Sequence, residues 1–373
     1  MSSQNYSELV EAIRARPAMY TGGTTFRTYN RFLRYCLIAG PLITEAGRLA
    51  FDLSGDRKAG IVLGDIIRPV PSNLVTEFSR DVSHLKTSPW IGSTLMILNA
   101  LCSEFRIAYL DLENEVVFSQ FFQKGSIVDG NLSNQDIAAS TVEIEFIPDE
   151  GIWELDKELN YDLYLEVIRE LSYLFSGRTF EFKYQVGDST HSAGFRFERG
   201  LADRISRDST VRYCEPLLPL EFHGTSDEID FDAASSFRYY DFESNFVDSF
   251  VNFERTRCHG THVDAMIDGF ISAISEVATS GFPEDKWEIT REKILEVIAA
   301  AIHVRMARPS FEGSVKEQLD SKEVFEPIRN AAEAALTKAF ENSEDEANRL
   351  LGEFRVCDDE WRARFLKEFY ESS

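Results

Sequence analysis

Residues 160–186 read NYDLYLEVIRELSYLFSGRTFEFKYQV, and the hydrophobic period changes inside them. Up to Gly177 apolar residues recur at helical spacing. Asn160 is a candidate N-cap, and Gly177 stands just past the end, where a left-handed residue closes a helix. From Arg178 the pattern alternates as a strand does. A helix feeding a strand gives an α+β reading, and the flanking sequence extends it. TVEIEFIP (141–148) alternates cleanly as a half-buried strand, and FRIAYLDLENEVVFSQFF (105–122) divides into two strands around Glu113–Asn114. Positions 124–139, with Gly125, Gly130, Asn131 and Ser133, read as an exposed loop.

Further upstream, the spacing predicts a helix over Thr28–Ala46. Its stretch RFLRYCLIAGPLITEA is apolar nearly all round and is expected to be buried, with Pro41 kinking or interrupting it. Two strands, Arg48–Leu53 and Ala59–Leu63, are joined by Ser54, Gly55 and Asp56. A mixed segment with Pro69 and Pro71 leads to a helix over Gly92–Cys102. At the start, Leu9, Ile13 and Tyr20 flank RARP in a short helix ended by Pro17. A second half opens near residue 210. It holds strands at Leu217–Phe222 and Phe246–Phe253, a helix over Val263–Thr279, then ITREKILEVIAAAIHVRM and a helical C-terminal tail.

Composition narrows the function. Over 373 residues, 43% are hydrophobic and 29 are Phe, enough for real cores in two domains. Against 39 Lys+Arg stand 63 Asp+Glu, a formal charge of -24, which argues against direct nucleic-acid binding because phosphate backbones repel such a chain. The five cysteines form no CxxC pair, so neither a disulfide framework nor a zinc site is implied. The N-terminus lacks the pattern of a signal peptide, and no apolar run is long enough to span a membrane. A cytoplasmic setting is expected.

Five motifs then fall in a telling order: RPAMYTGG (16–23), LNALCSEFRI (98–107), RELSYLFSGRTFEF (169–182), HGTHVDAMIDGF (259–270) and RPSFEGSVKEQLDSKEV (308–324). They resemble RPGMYIG, VNALS, RELSFLNSG, GGTHxxGF and PxPQFEGQTKxKLGNxEV of the N-terminal ATPase region shared by the B subunits of DNA gyrase and topoisomerase IV. The resemblance implies a Bergerat (GHKL) α/β sandwich over 1–205 and a ribosomal-S5-like transducer domain over 206–373. No Toprim-like segment is expected. Members bind ATP and close as dimers, an N-terminal arm crossing to the partner and a transducer Lys reaching the γ-phosphate.

The chemistry is altered. The family draws a water-activating Glu and a Mg²⁺-holding Asn from one helix as ExxxN, an i, i+4 pair on one face. With the helix end aligned on Glu45–Ala46, the Glu position falls on Leu37 and the Asn position on Pro41, neither of which offers such a group. Asn30 is the one Asp, Glu, Asn or Gln between Arg27 and Glu45. Glu45 reads as a displaced base or, more simply, a capping carboxylate. The adenine-reading DxGxG becomes GDIIRP, keeping Asp65 but replacing the glycines by bulkier Ile67, Arg68 or Pro69, depending on register. The Gly-rich lid becomes SPWIGSTLMILNAL, with Gly92 retained, Ser88, Pro89 and Thr94 substituted, and its lead segment Ile66–Thr87 shortened. Thr141 lies where the family's GT pair lies. Lys316 occupies the QTK lysine position, with Ser314 for its Gln. Asp65, Gly92, Thr94, Thr141 and Lys316 are thus candidate nucleotide-binding remnants, each with a plain structural alternative.

His259, His262 and Asp264 have a spacing that zinc can use, but the family's GTH holds no metal, so none is expected. DEIDFDAASS (227–236) and ENSEDEA (341–347) read as solvated faces. Tyr6 is the one arm residue placed to reach a partner's pocket. Two functions follow. One is a pseudo-ATPase module, without cofactor, acting as a protein-binding or regulatory subunit toward a partner or a second copy, with a role in defence or mobile-element conflict in view. The other is an ATP- and Mg²⁺-binding dimeric clamp in a split topoisomerase-like assembly. No Ser/His/Asp or Cys/His constellation supports a different enzyme.

Overall fold

Thr25 accepts the Thr28 amide and opens helix α3 (Phe26–Thr44), which runs unbroken through Pro41. The expected interruption does not occur. The amide that proline lacks is offset by packing, since α3 is buried along most of its length from Tyr29 to Thr44. Glu45 closes the helix in the left-handed region at φ 53°. These features come from a computed structural model, which describes residues 3–54, 57–66, 70, 73–77, 86–87, 89–111, 116–128, 140–155, 161–207, 217–226, 228–237, 246–313 and 316–356. Asn160, Gly55, Asp56, Ile67, Arg68, Pro69, Pro71, Ser88, Glu113, Asn114, Ser314, Cys214, Cys357 and most of the 124–139 loop lie outside the described residues, as do parts of the 66–87 segment.

The chain divides into two compact units, Met1–Gly200 and Leu201–Ser373. In the first, α1 (Ser3–Ala15) ends at Arg16, and Pro17 opens α2 (Pro17–Thr21), where its missing N–H forfeits no helical bond. After α3 come β1 (Arg48–Ser54) and β2 (Ala59–Gly64). A 3-10 turn (Pro89–Ser93) then leads to α4 (Thr94–Ala100), so the regular helix starts two residues later than its sequence suggests. β3 (Cys102–Asp111), β4 (Val116–Gln123), β5 (Ser126–Val128), β6 (Val142–Pro148), α5 (Tyr161–Leu174), β7 (Thr179–Val186) and β8 (Ser189–Arg196) complete the unit.

Its eight strands lie in the order β5-β4-β3-β6-β2-β1-β7-β8, antiparallel except for β1 beside β7. Alternation decides which face is core: Val142, Ile144, Phe146 and Pro148 of β6 are buried, while Glu143 and Glu145 are half-exposed. Phe51 of β1 stacks on Phe182 of β7 at 5.6 Å and meets Tyr164 of α5 at 5.5 Å.

In the second unit α6 (Leu201–Arg207) packs on strands β10 (Ile229–Phe237) and β13 (Ile298–Met306). A domain boundary at 205/206 falls inside this helix. Strands β9 (Leu217–Thr225), β11 (Phe246–Val251) and β12 (Glu254–Arg255) complete a five-stranded sheet of order β12-β11-β13-β10-β9. Helices α7 (Thr261–Gly281), α8 (Arg291–Val297), α9 (Phe325–Asn342) and α10 (Glu344–Phe354) join it. Phe270 of α7 meets Phe222 and Phe237 edge-on.

The acidic DEIDFDAASS is not simply a solvated face. It forms most of β10, with Ile229, Phe231 and Ala233 buried, while Asp230 and Asp232 turn toward Arg305. In ENSEDEA, Glu344, Asp345 and Glu346 occupy the first turn of α10, where the helix dipole favours them, and Glu346 accepts the Leu218 amide.

Candidate functional site

The candidate site is built around α3. Leu37 is wholly buried, and Pro41 is buried one turn further on. Gly40, between them, is pressed onto β2: a Cβ there would stand 2.9 Å from Leu63 Cδ2. The α3 face on which the sequence resemblance places the family's acid and amide is therefore apolar and closely packed. Asn30, earlier on the same helix, accepts the Tyr164 hydroxyl through its Oδ1. Glu45, one residue past the helix, is half-buried at the cap.

Sheet pairing brings two of the remnants together. Leu63 of β2 is registered with Val142 of β6, so the chain leaving β2 runs beside the chain entering β6. The Ile66 amide donates to the Ser140 carbonyl at 3.1 Å, which sets Asp65 and Thr141 at one end of the sheet. Asp65 is exposed and left-handed at φ 56°, and Gly47 lies so close that a Cβ would be 3.1 Å from Asp65 Cβ. Thr141 is half-buried.

Gly92 and Thr94 lie where the 3-10 turn and α4 meet α3, and both are buried. The Thr94 hydroxyl donates to the Trp90 carbonyl at 3.1 Å and so ties the start of α4 to the 3-10 turn before it. Lys316 belongs to the second unit. It is exposed in a turn tied to the start of α7, since Cys258 N donates to Glu317 O and Leu319 N to His259 O, both at 2.9 Å.

Tyr6 departs from expectation. It is buried in its own unit, where its hydroxyl donates to Gly125 O at 2.7 Å and accepts from Asn99 Nδ2 at 3.0 Å. Burial pushes its phenol well above the ordinary range despite the Asn99 bond. An aromatic ring on an amphipathic helix is claimed by the nearest apolar groove, and α1 begins early enough to carry Tyr6 there.

His259, His262 and Asp264 turn to different partners: Ser249 Oγ at 2.9 Å, Thr256 Oγ1 at 3.2 Å and Arg291 at 2.5 Å. Among the described residues no cluster of three metal-binding side chains occurs. Burial lowers the His262 pKa to about 3 and holds His303, whose Nε2 accepts the Phe253 amide, well below the ordinary imidazole value. Sequence reading missed this linked Ser249–Thr256–histidine chain. It also missed Arg178, which donates to the Pro41 and Ala46 carbonyls at the end of α3. The one signal for Arg178 was its position directly after the Gly177 helix stop.

A family model described as DNA gyrase B matches residues 200–364. The B subunit of DNA gyrase from Campylobacter jejuni is 27% identical over 92% of this chain and 46% of its own length. The B subunit of DNA topoisomerase 4 from Rickettsia felis is 25% identical over 87% and 52%. Among solved structures, the 43K ATPase domain of Thermus thermophilus gyrase B, crystallised with an aminocoumarin, aligns with TM-score 0.74 over 96% of this chain and 98% of its own, at 20% identity. The gyrase B-subunit of Myxococcus xanthus aligns with TM-score 0.76, over 93% and 99%, at 19% identity. The chain is gyrase-B-like. Its fold is that of the GHKL-plus-transducer region of gyrase B, α+β in both units. The gyrase-B-like chain spans about half the length of the curated relatives it matches. Among its described residues no helix is long and apolar enough to cross a membrane.

Proposed function

We propose that this gyrase-B-like chain is a pseudo-ATPase module that acts as a protein-binding or regulatory subunit in the cytoplasm. The observation that carries this reading is the burial of Leu37 and Pro41 on α3. Hydrolysis by the family's route needs a carboxylate beside the attacking water and an amide oxygen on Mg²⁺. The residues at those positions supply neither, so ATP with Mg²⁺ does not fit the family's donor set here. The module then works through its surfaces. The relatives are named as subunits of gyrase and of topoisomerase 4, which makes a topoisomerase subunit, a second copy or a neighbouring effector the partner to test. Charge favours a basic protein: residues 201–373 hold 36 acids against 20 bases, residues 1–200 hold 27 against 19. A role in defence or mobile-element conflict agrees with such a remodelled module.

A second reading, an ATP-binding clamp that does not need the lost pair, is favoured by the adjacency of Asp65 and Thr141 and by the exposure of Lys316. Isothermal titration with a nonhydrolysable ATP analogue and Mg²⁺ separates the two. No heat up to millimolar analogue is the expected result. Micromolar binding supports the clamp, and phosphate release by the purified chain that is lost in a Glu45→Gln or Lys316→Ala variant overturns the pseudo-ATPase.

A further inference from the structure

Strand β8 ends the eight-stranded sheet and, among the described residues, pairs with β7 alone. An open edge is a template for another strand, and proteins commonly guard it with lysine, proline or a bulge. Residues 189–196, STHSAGFR, carry none of these, and their pairing with β7 is regular throughout. Ser189, Thr190, His191, Ser192, Gly194 and Arg196 are exposed.

The hairpin fixes what this edge offers. Val186 pairs with Ser189 across the two-residue turn Gly187–Asp188, and such a closing pair exchanges hydrogen bonds. The odd-numbered residues of β8 therefore bond to β7. The amides and carbonyls of Thr190, Ser192, Gly194 and Arg196 point away from the sheet. On the α5 side the strand is already engaged, with Arg169 over the Phe195 ring at 5.3 Å and Tyr161 beside His191 at 5.4 Å.

We propose that β8 is a homodimerisation edge, pairing antiparallel with β8 of a second copy about a two-fold axis at Ser192. That register sets Ser192 against Ser192 and Thr190 against Gly194, small and neutral at the centre. It also sets Asp188 of each copy opposite the partner's Arg196, so the ends are charge-complementary. Arg196 now bonds Glu198 at 2.6 Å, but both are well exposed, and exposed ion pairs exchange partners at little cost. A second copy is the occupant because one self-register brings together the small central residues and sets each Arg196 opposite an acid of the other copy. Nucleotide plays no part, so the proposal stands or falls apart from the ATP site.

The test is light scattering after size exclusion of the full chain without nucleotide, at about 0.1 mM, where mass action favours association. The expected mass is twice 42.5 kDa. Ser192→Pro deletes one outward N–H and leaves the β7 ladder intact, so it returns the mass to one chain; Ser192→Lys, which opposes two cations on the axis, does the same if the proline variant fails to fold. Asp188→Arg loosens the dimer and Asp188→Arg with Arg196→Asp restores it. With Cys214, Cys258 and Cys357 changed to Ser, oxidised Ser192→Cys forms a linked dimer and Thr190→Cys does not, because only the axial pair lies within disulfide reach. A wild-type monomer, a Ser192→Pro or Ser192→Lys dimer, or a dimer that Ser192→Cys fails to link overturns the proposal; a monomer leaves the edge to a strand of another protein.

Discussion

The Arg178 guanidinium donates to the Pro41 carbonyl at 2.9 Å and to the Ala46 carbonyl at 3.1 Å. Carbonyls in the last turn of a helix lack amide partners. Arg178 provides them at the end of α3 while its cation rests on the Phe175 ring at 5.2 Å. Arg178→Met keeps the stem and removes the donors. It is expected to lower stability by about 1–3 kcal/mol, read as a shifted urea midpoint at unchanged slope.

A carboxylate introduced at Leu37 should not be tolerated. Leu37→Glu places a carboxylate where nothing is exposed and is expected to cost at least about 3 kcal/mol, whereas Leu37→Met should cost under about 1.5. Urea unfolding of the two variants checks this. A Leu37→Glu protein as stable as the parent would show that the position opens to water.

Acid should weaken the second unit. His262 is held neutral, with a folded pKa of about 3 against an ordinary 6.5, so the unfolded chain takes up the proton first. Its contribution is whole above pH 6.5 and is lost as pH falls from there toward 3. Between pH 6.5 and 5 the loss is about 2 kcal/mol from this one group. His303 adds in the same direction. Denaturant melts across that range should show the slope, and His262→Gln should flatten it.

The Lys316 loop hangs on Gly260. Leu319 O accepts the Thr261 amide, and a Cβ on Gly260 would stand 2.1 Å from that oxygen at φ +120°. Gly260→Ala is expected to cost about 3 kcal/mol or more, while Gly281→Ala, with open space around it, should be neutral or stabilising by under about 1 kcal/mol. Thermal unfolding of the pair gives the comparison.

Tyr6→Phe removes one buried hydroxyl and strands the Gly125 carbonyl and one Asn99 donor. The expected loss is about 1–3 kcal/mol with no change in oligomeric state, because Tyr6 is spent within its own unit. A variant that alters the scattering mass instead would return Tyr6 to an exchanging arm.

Where residues alternate cleanly, the strands could be read directly, as in β6 and β7, and the five motifs carried the architecture. Legibility failed where period was absent. Ala299, Ala300 and Ala301 lie in β13, buried throughout and paired on both sides, so nothing in the composition distinguishes strand from helix. In β10 the alternating acids masked an equally regular apolar face. At the candidate site, the apolar character of α3 at Leu37 and Pro41 was legible in the sequence, and both are buried. The polar contacts to that helix were not legible, because Arg178 and Tyr164 reach α3 from far along the chain.

The parallel pairing of β1 with β7 joins Arg48 to Thr179, and each strand between them in the chain, β2 to β6, belongs to the same sheet. Hairpins such as β7–β8 and β3–β4 can assemble from neighbours, but this ladder closes only after a long loop has been gathered. Its formation is expected to limit the refolding rate of the first unit. Substitutions at Phe51 or Phe182 should then slow refolding, whereas changes in the β8 edge should act mainly on unfolding.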